Sequence, residues 1–460
     1  MIIPRLPDFG EICVYLRIEK TESMKKLLSA TVALLCLATA YGQRVYRTEF
    51  VTYDTRADAL AGNRANTVHY LTYAPKPMSA TADRTEMVGE RIAVPVAWGD
   101  YDVYLHIENA IKAYDVVING KTLASNEDGT TPADFLISPL LRQGENEIAL
   151  RLRRADNPEL DEDAVGRLCE QFAGSCIFAQ YKAHIFDYDV AIRYDEKGAN
   201  ALLALDVVAR NSFNYTEQIN IGYDIYAPDG KLIDYAVREM NVAGHATDTL
   251  RVRVNLGAAR GFGWGEGRAP LYKLMLFVKR DGKPREYIPF RAGLGATSFD
   301  KEGVLRNGKP IKVRSAVYDA RTTRKEALAE LQALKKRGIN TLLPSNPQPA
   351  WFYDLCDGLG LYVVERANNN AVQYSADRSE GGTPSNNPAL ADEYVGRVKS
   401  MYYRTRNHPC IIAYALGGER SGNGYNMYKA YEWLKGVERE RAVVCPMADG
   451  EWNTDFDKIR

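Results

Sequence analysis

Two all-β regions followed by a β/α region are what this sequence predicts, and three observations carry the prediction. Up to about residue 297, apolar and polar residues alternate in short runs, the two-residue period of strands. From about residue 298, helical periods alternate with short, branched apolar runs, the pattern of parallel β/α units. The length, 460 residues, suits roughly two to four domains. The chain is 46% hydrophobic and 26% charged, ordinary for packed globular cores. Lys plus Arg equals Asp plus Glu at 59 each, so no excess charge draws it to nucleic acid or an anionic membrane. Twenty-nine Tyr against 13 Phe suits sugar-binding faces and exposed sheets alike.

Residues 1–42 read as an over-called start plus a secretory signal peptide. Met24-Lys25-Lys26 supplies the positive region and Leu27 to Ala40 an apolar stretch too short for a membrane span. The mature chain is expected to start near Gln43, to be periplasmic or secreted, and to keep no membrane span. Cys169, Cys176, Cys356, Cys410 and Cys445 remain, an odd and loosely spaced set that makes no disulfide framework. A Cys169–Cys176 pair would suit an oxidising compartment; buried thiols are expected for the rest.

In residues 43–185, Tyr101 to Ile107, Ala113 to Ile118 and Glu147 to Leu152 alternate as half-exposed strands, and Asn119-Gly120 marks a type I′ hairpin. Residues 186–297 continue with strands at Leu202 to Ala209, Asn220 to Tyr226 and Leu250 to Val254, with Pro228-Asp229-Gly230 as a turn. In residues 298–460, five strands are expected at Ile311 to Val317, Ile339 to Leu343, Leu361 to Val364, Ile411 to Leu416 and Ala442 to Cys445. Between them lie a helix opened by a Thr323–Glu326 capping box and closed at Gly338, a helix near Trp351 to Gly358, one at Ala389 to Tyr403 and one through Tyr428 to Lys435. Glu419 follows the Gly417-Gly418 pair at the end of the fourth strand, where side chains of a β/α barrel project from the mouth.

The stretch Arg406-Asn407-His408-Pro409-Cys410-Ile411-Ile412, continuing to Leu416-Gly417-Gly418-Glu419-Arg420-Ser421-Gly422, resembles the acid/base segment of glycoside hydrolase family 2, the β-galactosidase and β-glucuronidase relatives. Val117 to Gly120, Thr131 to Phe135 and Leu140 to Asn146 resemble that family's sugar-binding jelly roll. Ala269 to Leu274 resembles the end of its immunoglobulin-like domain, and Asn307 to Ile311 its entry into the barrel. The resemblance therefore implies a jelly-roll β-sandwich, an immunoglobulin-like β-sandwich and an incomplete TIM-type barrel. It makes Glu419 the general acid/base, and Asn346, Asn368, Gly418 and Trp351 are the candidate substrate-binding residues around it.

The sequence also departs from the family. Gly418 stands where the family has Asn, and Ser315 to Asp319 and Ser345-Asn346-Pro347 lack its His residues. Asn370 and Val372 replace two magnesium ligands of the β-galactosidase branch, so no metal and no cofactor is expected. No residue matches the nucleophile motif, and Arg366 is positioned to hold Glu419 ionised. The expectation is a β-galactosidase-like glycosidase, catalytically impaired or an N-terminal fragment of a longer hydrolase. The alternative is a non-catalytic glycan-binding protein, with Trp351, Tyr374 and Tyr425 stacking on sugar rings. A β-linked glycoside or oligosaccharide is the expected partner, and open barrel edges are the expected place for self-association.

Overall fold

A computed structural model describes residues 44–64, 67–78, 86–156, 160, 171–319, 323–371, 383–418 and 421–456. The leader, Cys169, Tyr374, Val372 and Glu419 lie outside the described residues.

The first region is two five-stranded antiparallel sheets. One runs Arg44–Val45, Ala133–Leu136, Tyr101–Ile107, Cys176–Tyr181, Tyr70–Thr72 in spatial order, and the other Lys76–Pro77, Glu86–Val94, Gly144–Arg153, Ala113–Ile118, Lys121–Asn126. Val103, Leu105 and Ile107 meet Val116, Ile118, Ile148 and Leu150 in a shared core between the sheets. Asn119 and Gly120 both take positive φ, 51° and 78°, as the type I′ turn requires. The half-exposed pattern expected for Tyr101–Ile107 and Ala113–Ile118 does not hold, because both strands are buried almost throughout. Tyr101–Ile107 is central in its sheet, and its second face carries Tyr104, packed with Cys176 and Phe178 in a core of its own.

The second region packs a three-stranded sheet (Ala183–Tyr194, Asn200–Asn211, Ala246–Ala258) on a four-stranded one (Leu232–Val242, Glu217–Tyr226, Leu271–Arg280, Lys283–Gly293). Strands of 10 to 13 residues make these sheets long. Gly230 ends the expected Pro228-Asp229-Gly230 turn at φ 90°.

A small antiparallel sheet (Thr297–Asp300, Gly303–Arg306, Lys309–Pro310) leads into five parallel strands, Ser315–Val317, Thr341–Leu343, Tyr362–Arg366, Ile411–Ala415 and Ala442–Val444, paired in sequence order. The first strand is shorter than the apolar run suggests. Ile311 donates its N–H back to Val304 at 2.9 Å and Arg314 donates to the Asn340 side chain at 2.8 Å, so pairing begins only at Ser315. Helices Arg324–Lys336, Ala350–Leu359, Ala391–Thr405 and Tyr425–Val437 alternate with the strands. The first opens on the expected reciprocal Thr323–Glu326 capping box.

The two outer edges of this sheet differ. The first strand leaves Val317 70% exposed. The fifth is buried, because Asp455 donates its N–H to Val443 O at 2.8 Å, accepts from Val443 N at 2.7 Å, and Phe456 bridges to Val444. Expecting an open edge on both sides was therefore wrong for the fifth strand: the segment after it turns back to cover it. No helix among the described residues is long and apolar enough to cross a membrane.

Candidate functional site

The fourth parallel strand is the axis of the site. At its N-terminal end, Arg406 donates to Asp187 Oδ2 at 2.7 Å and to the Tyr188 carbonyl at 2.9 Å. Asn407 accepts from Val190 N at 3.0 Å and donates to Thr48 Oγ1 at 2.9 Å. His408 Nδ1 lies 2.7 Å from Asp357 Oδ2, while Asp357 Oδ1 accepts the Cys410 N–H at 3.0 Å. Pro409 fills the space over Gly293, where an added Cβ would come within 2.7 Å of it. The front half of the motif is thus a joint between the parallel sheet and the second sandwich.

The C-terminal end is built from amides. After the second strand, Gln348 Nε2 donates to the Asn346 carbonyl at 2.8 Å and to Asp319 Oδ1 at 3.0 Å. Asn346 itself is fully buried, and neither its Oδ1 nor its Nδ2 has a partner. After the third strand comes a buried run of three. Asn368 donates to Asp128 Oδ1 of the first sandwich at 2.8 Å, Asn369 to the Leu416 carbonyl at 2.9 Å, and Asn370 to Asn368 Oδ1 at 3.0 Å. The Oδ1 atoms of Asn369 and Asn370 accept nothing. Burying an unmet polar atom costs about 1–3 kcal/mol.

After the fourth strand, the Gly418 carbonyl accepts from Ser421 N at 3.2 Å and Ser421 Oγ at 2.8 Å, which pins together the described residues on either side of Glu419 and Arg420. A Cβ on Gly418 would stand 2.9 Å from Arg366 Nη1 and 3.0 Å from Asn370 Oδ1. Arg366 also donates to the Ser345 carbonyl. Glycine at 418 is therefore a matter of space: Arg366 and Asn370 occupy what a side chain there would need.

Among the described carboxylates near this end, each accepts a hydrogen bond through one oxygen, while Asp128 Oδ2 and Glu365 Oε2 have no hydrogen-bond partner. Asp319 accepts from Ser345 N at 2.8 Å as well as from Gln348. Asp128 accepts from Asn368 and the Thr131 N–H. Burial alone would raise its pKa, but Arg397 and Arg44 outweigh burial and hold the carboxyl below its ordinary range. Glu365 takes the Tyr353 hydroxyl at 2.7 Å, and burial pushes it up to about 7.

Of the expected site residues, Asn346, Asn368 and Gly418 come together here, and Glu419 lies outside the described residues. Asn368 spends its amide on the first sandwich. Trp351 lies on the wall of another cavity, with Glu49, His106 and Glu108, and that cavity is not lined by Gly418 or Asn346. Tyr425 is 43% exposed and begins the helix after the fourth strand, and Tyr374 lies outside the described residues. Asn369 and Asp128 were missed. Three consecutive Asn directly after a buried strand were the available signal for the first; Asp128 lies 240 residues from Asn368 and gave none.

Residues 319–460 match the TIM barrel domain of the glycosyl hydrolases family 2. Over 361 residues the chain is 26% identical to a β-galactosidase of Priestia megaterium, covering 75% of this chain and 35% of that one. A Streptococcus thermophilus β-galactosidase is 25% identical over 78% of this chain and 35% of its own length. The chain thus spans about a third of the length of these curated relatives. Among solved structures it is similar in fold to a Bacteroides uniformis β-glucuronidase, with a TM-score of 0.66 and 17% identity over 88% of this chain and 52% of that one. A Bacteroides vulgatus β-glycosidase gives a TM-score of 0.62 and 16% identity over 88% and 54%.

Proposed function

The chain is a relative of glycoside hydrolase family 2, and from that premise we propose that its barrel mouth binds β-linked, β-galactoside-like glycosides. The observation that carries this is the amide-lined mouth, where Asn346, Asn369 and Asn370 hold buried polar atoms without partners. Neutral amides offer donors and acceptors together, as sugar hydroxyls do, and demand no counter-charge. Glu419, just past the pinned Gly418, would be the general acid/base. Retaining hydrolysis takes a second carboxyl group about 5–5.5 Å away as nucleophile, and no residue of this sequence matches the family's nucleophile motif. Our reading is that the chain by itself binds glycosides and turns them over weakly or not at all. Its frame in this reading is a jelly roll over 43–185, an immunoglobulin-like sandwich over 186–297 and a partial barrel over 298–460, exported by the leader in residues 1–42.

Chromogenic β-galactosides and unlabelled oligosaccharides test it together. Binding that survives Glu419→Gln but weakens in Asn346→Ala, with no turnover in either protein, is the expected result. Turnover in the unaltered chain that vanishes in Glu419→Gln would make it an enzyme outright. No affinity for any β-glycoside would remove the mouth from consideration.

A further inference from the structure

A second constellation lies away from the mouth, on the outer face of the first sandwich. His106 belongs to the strand Tyr101–Ile107, and Glu108 follows two residues on, so both side chains leave the same face. The neighbouring strands place Asp134 and Cys176 directly opposite His106, one on each side. Glu49 arrives from the N-terminal segment. Glu49, His106 and Glu108 each offer one ligand atom, and these lie within 4.8 Å of one another.

We propose that Glu49, His106 and Glu108 bind a divalent transition-metal ion of the zinc class, a site separate from the barrel mouth. Three features go beyond mere proximity. His106 Nδ1 lies 2.7 Å from Asp134 Oδ1, so the ring is aimed by a carboxylate and its Nε2 faces Glu108 Oε2 at 3.0 Å. A carboxylate behind a histidine is how metal sites fix the ring and raise its donor strength. Asp134 is itself held by the Arg47 guanidinium at 3.1 and 3.2 Å, and Glu49 by Arg404 Nε at 2.8 Å. All three ligand residues line a cavity of about 840 Å³, which gives an ion a way in and room for water as a further ligand.

One imidazole and two carboxylates make a nitrogen–oxygen set of the kind zinc accepts at about 2.0–2.2 Å. Calcium asks for six to eight oxygens, and copper(I) for sulfur. The other described cluster with a comparable make-up, Asp357, His408 and Cys410, carries no such inference, since burial pushes the Cys410 thiol well above its ordinary range and keeps it protonated. With no ion, the same geometry serves a proton shared between His106 and its carboxylates, and the experiment must separate the two.

The full chain, stripped with EDTA and dialysed, is titrated with Zn²⁺ by calorimetry and with Co²⁺ by absorption spectroscopy. The expected result is one equivalent per chain, a visible d–d spectrum with Co²⁺, and a rise in melting temperature with Zn²⁺. Asp134→Asn should weaken affinity by roughly 10- to 100-fold through the ring it orients. Glu326→Gln, which alters the same cavity outside the cluster, should leave affinity unchanged. Folded protein that takes up no stoichiometric Zn²⁺ and gives no Co²⁺ spectrum would overturn the proposal. So would uptake that persists unaltered in both His106→Gln and Asp134→Asn. If those variants do not fold, the spectrum of the unaltered chain decides.

Discussion

The fourth parallel strand is five residues long, and its two ends are opposite in character. At the base, Asp357 serves His408 and the Cys410 N–H with its two oxygens, and its carbonyl takes the Trp264 indole N–H at 2.8 Å. At the top, Asn346, Asn369 and Asn370 are as deeply buried, yet carry polar atoms that bond to nothing. Both ends sit in polar surroundings shut off from water, where an unmet group is expensive. Asp357, with both carboxyl oxygens and its carbonyl engaged, holds the base of the strand in place. At the top, the glycoside proposed above would close the bonds left open. The division matches what barrels do in general, stability at one face and chemistry at the other.

Breaking the base should have the largest effect. Asp357→Ala strands His408 and the Cys410 N–H together and should cost about 3–5 kcal/mol in urea unfolding, while Asp357→Asn, which keeps an acceptor, should cost less. Next comes a gain, at Glu365. Its carboxyl titrates near 7 in the fold against 4.5 for the free group, so the ionised form is disfavoured by burial. The penalty is absent below pH 4.5, grows as pH rises towards 7 and is constant above. Glu365→Gln should therefore raise stability by on the order of 3 kcal/mol above pH 7 and by nothing at pH 4, read from urea curves at both. An equal gain at the two pH values would show that the burial argument fails.

At the top the effects should be smaller. Gly418→Asn pushes Arg366 and Asn370 aside and should cost roughly 1–2 kcal/mol, a cost that Arg366→Ala in the same chain largely removes. Strict additivity of the two changes would mean that Arg366 is not what fills the space. Asn346→Leu should be smallest, within about 1 kcal/mol of the original by thermal unfolding, since no bond is lost. It should nonetheless weaken glycoside binding. A large loss of stability from that change would place Asn346 in the same class as Asp357.

Much of the frame was legible in the sequence. The Thr323–Glu326 box, the Asn119-Gly120 turn and the five parallel strands are local signals, each decided by a few neighbouring residues. What escaped was set by distant partners. Tyr101–Ile107 alternates as though one face met solvent, but other parts of the chain bury that face. Arg406 and Asn407 read as part of a catalytic segment, whereas their partners are Asp187, Tyr188, Val190 and Thr48. The mouth was half visible. Position 418 could be seen to lack a side chain, but only the placing of Arg366 explains why. Trp351 was expected beside the mouth because an aromatic ring can stack on a sugar; it lines the other cavity instead.

The N-terminal segment brings a constraint on the order of events during synthesis. Glu49 bonds to Arg404 across 355 positions, and Thr48 to Asn407 across 359. A ribosome that has made the first two sandwiches has supplied the partners of Arg44, Val45 and Arg47, but not yet Arg404 and Asn407. Domains fold as they emerge, and loops of this length close late and slowly. The fastening of Glu49 and Thr48 to the parallel region must therefore wait until its third helix has been made. Those bonds tie an early part of the chain to one made some 355 positions later, and are among the last to close.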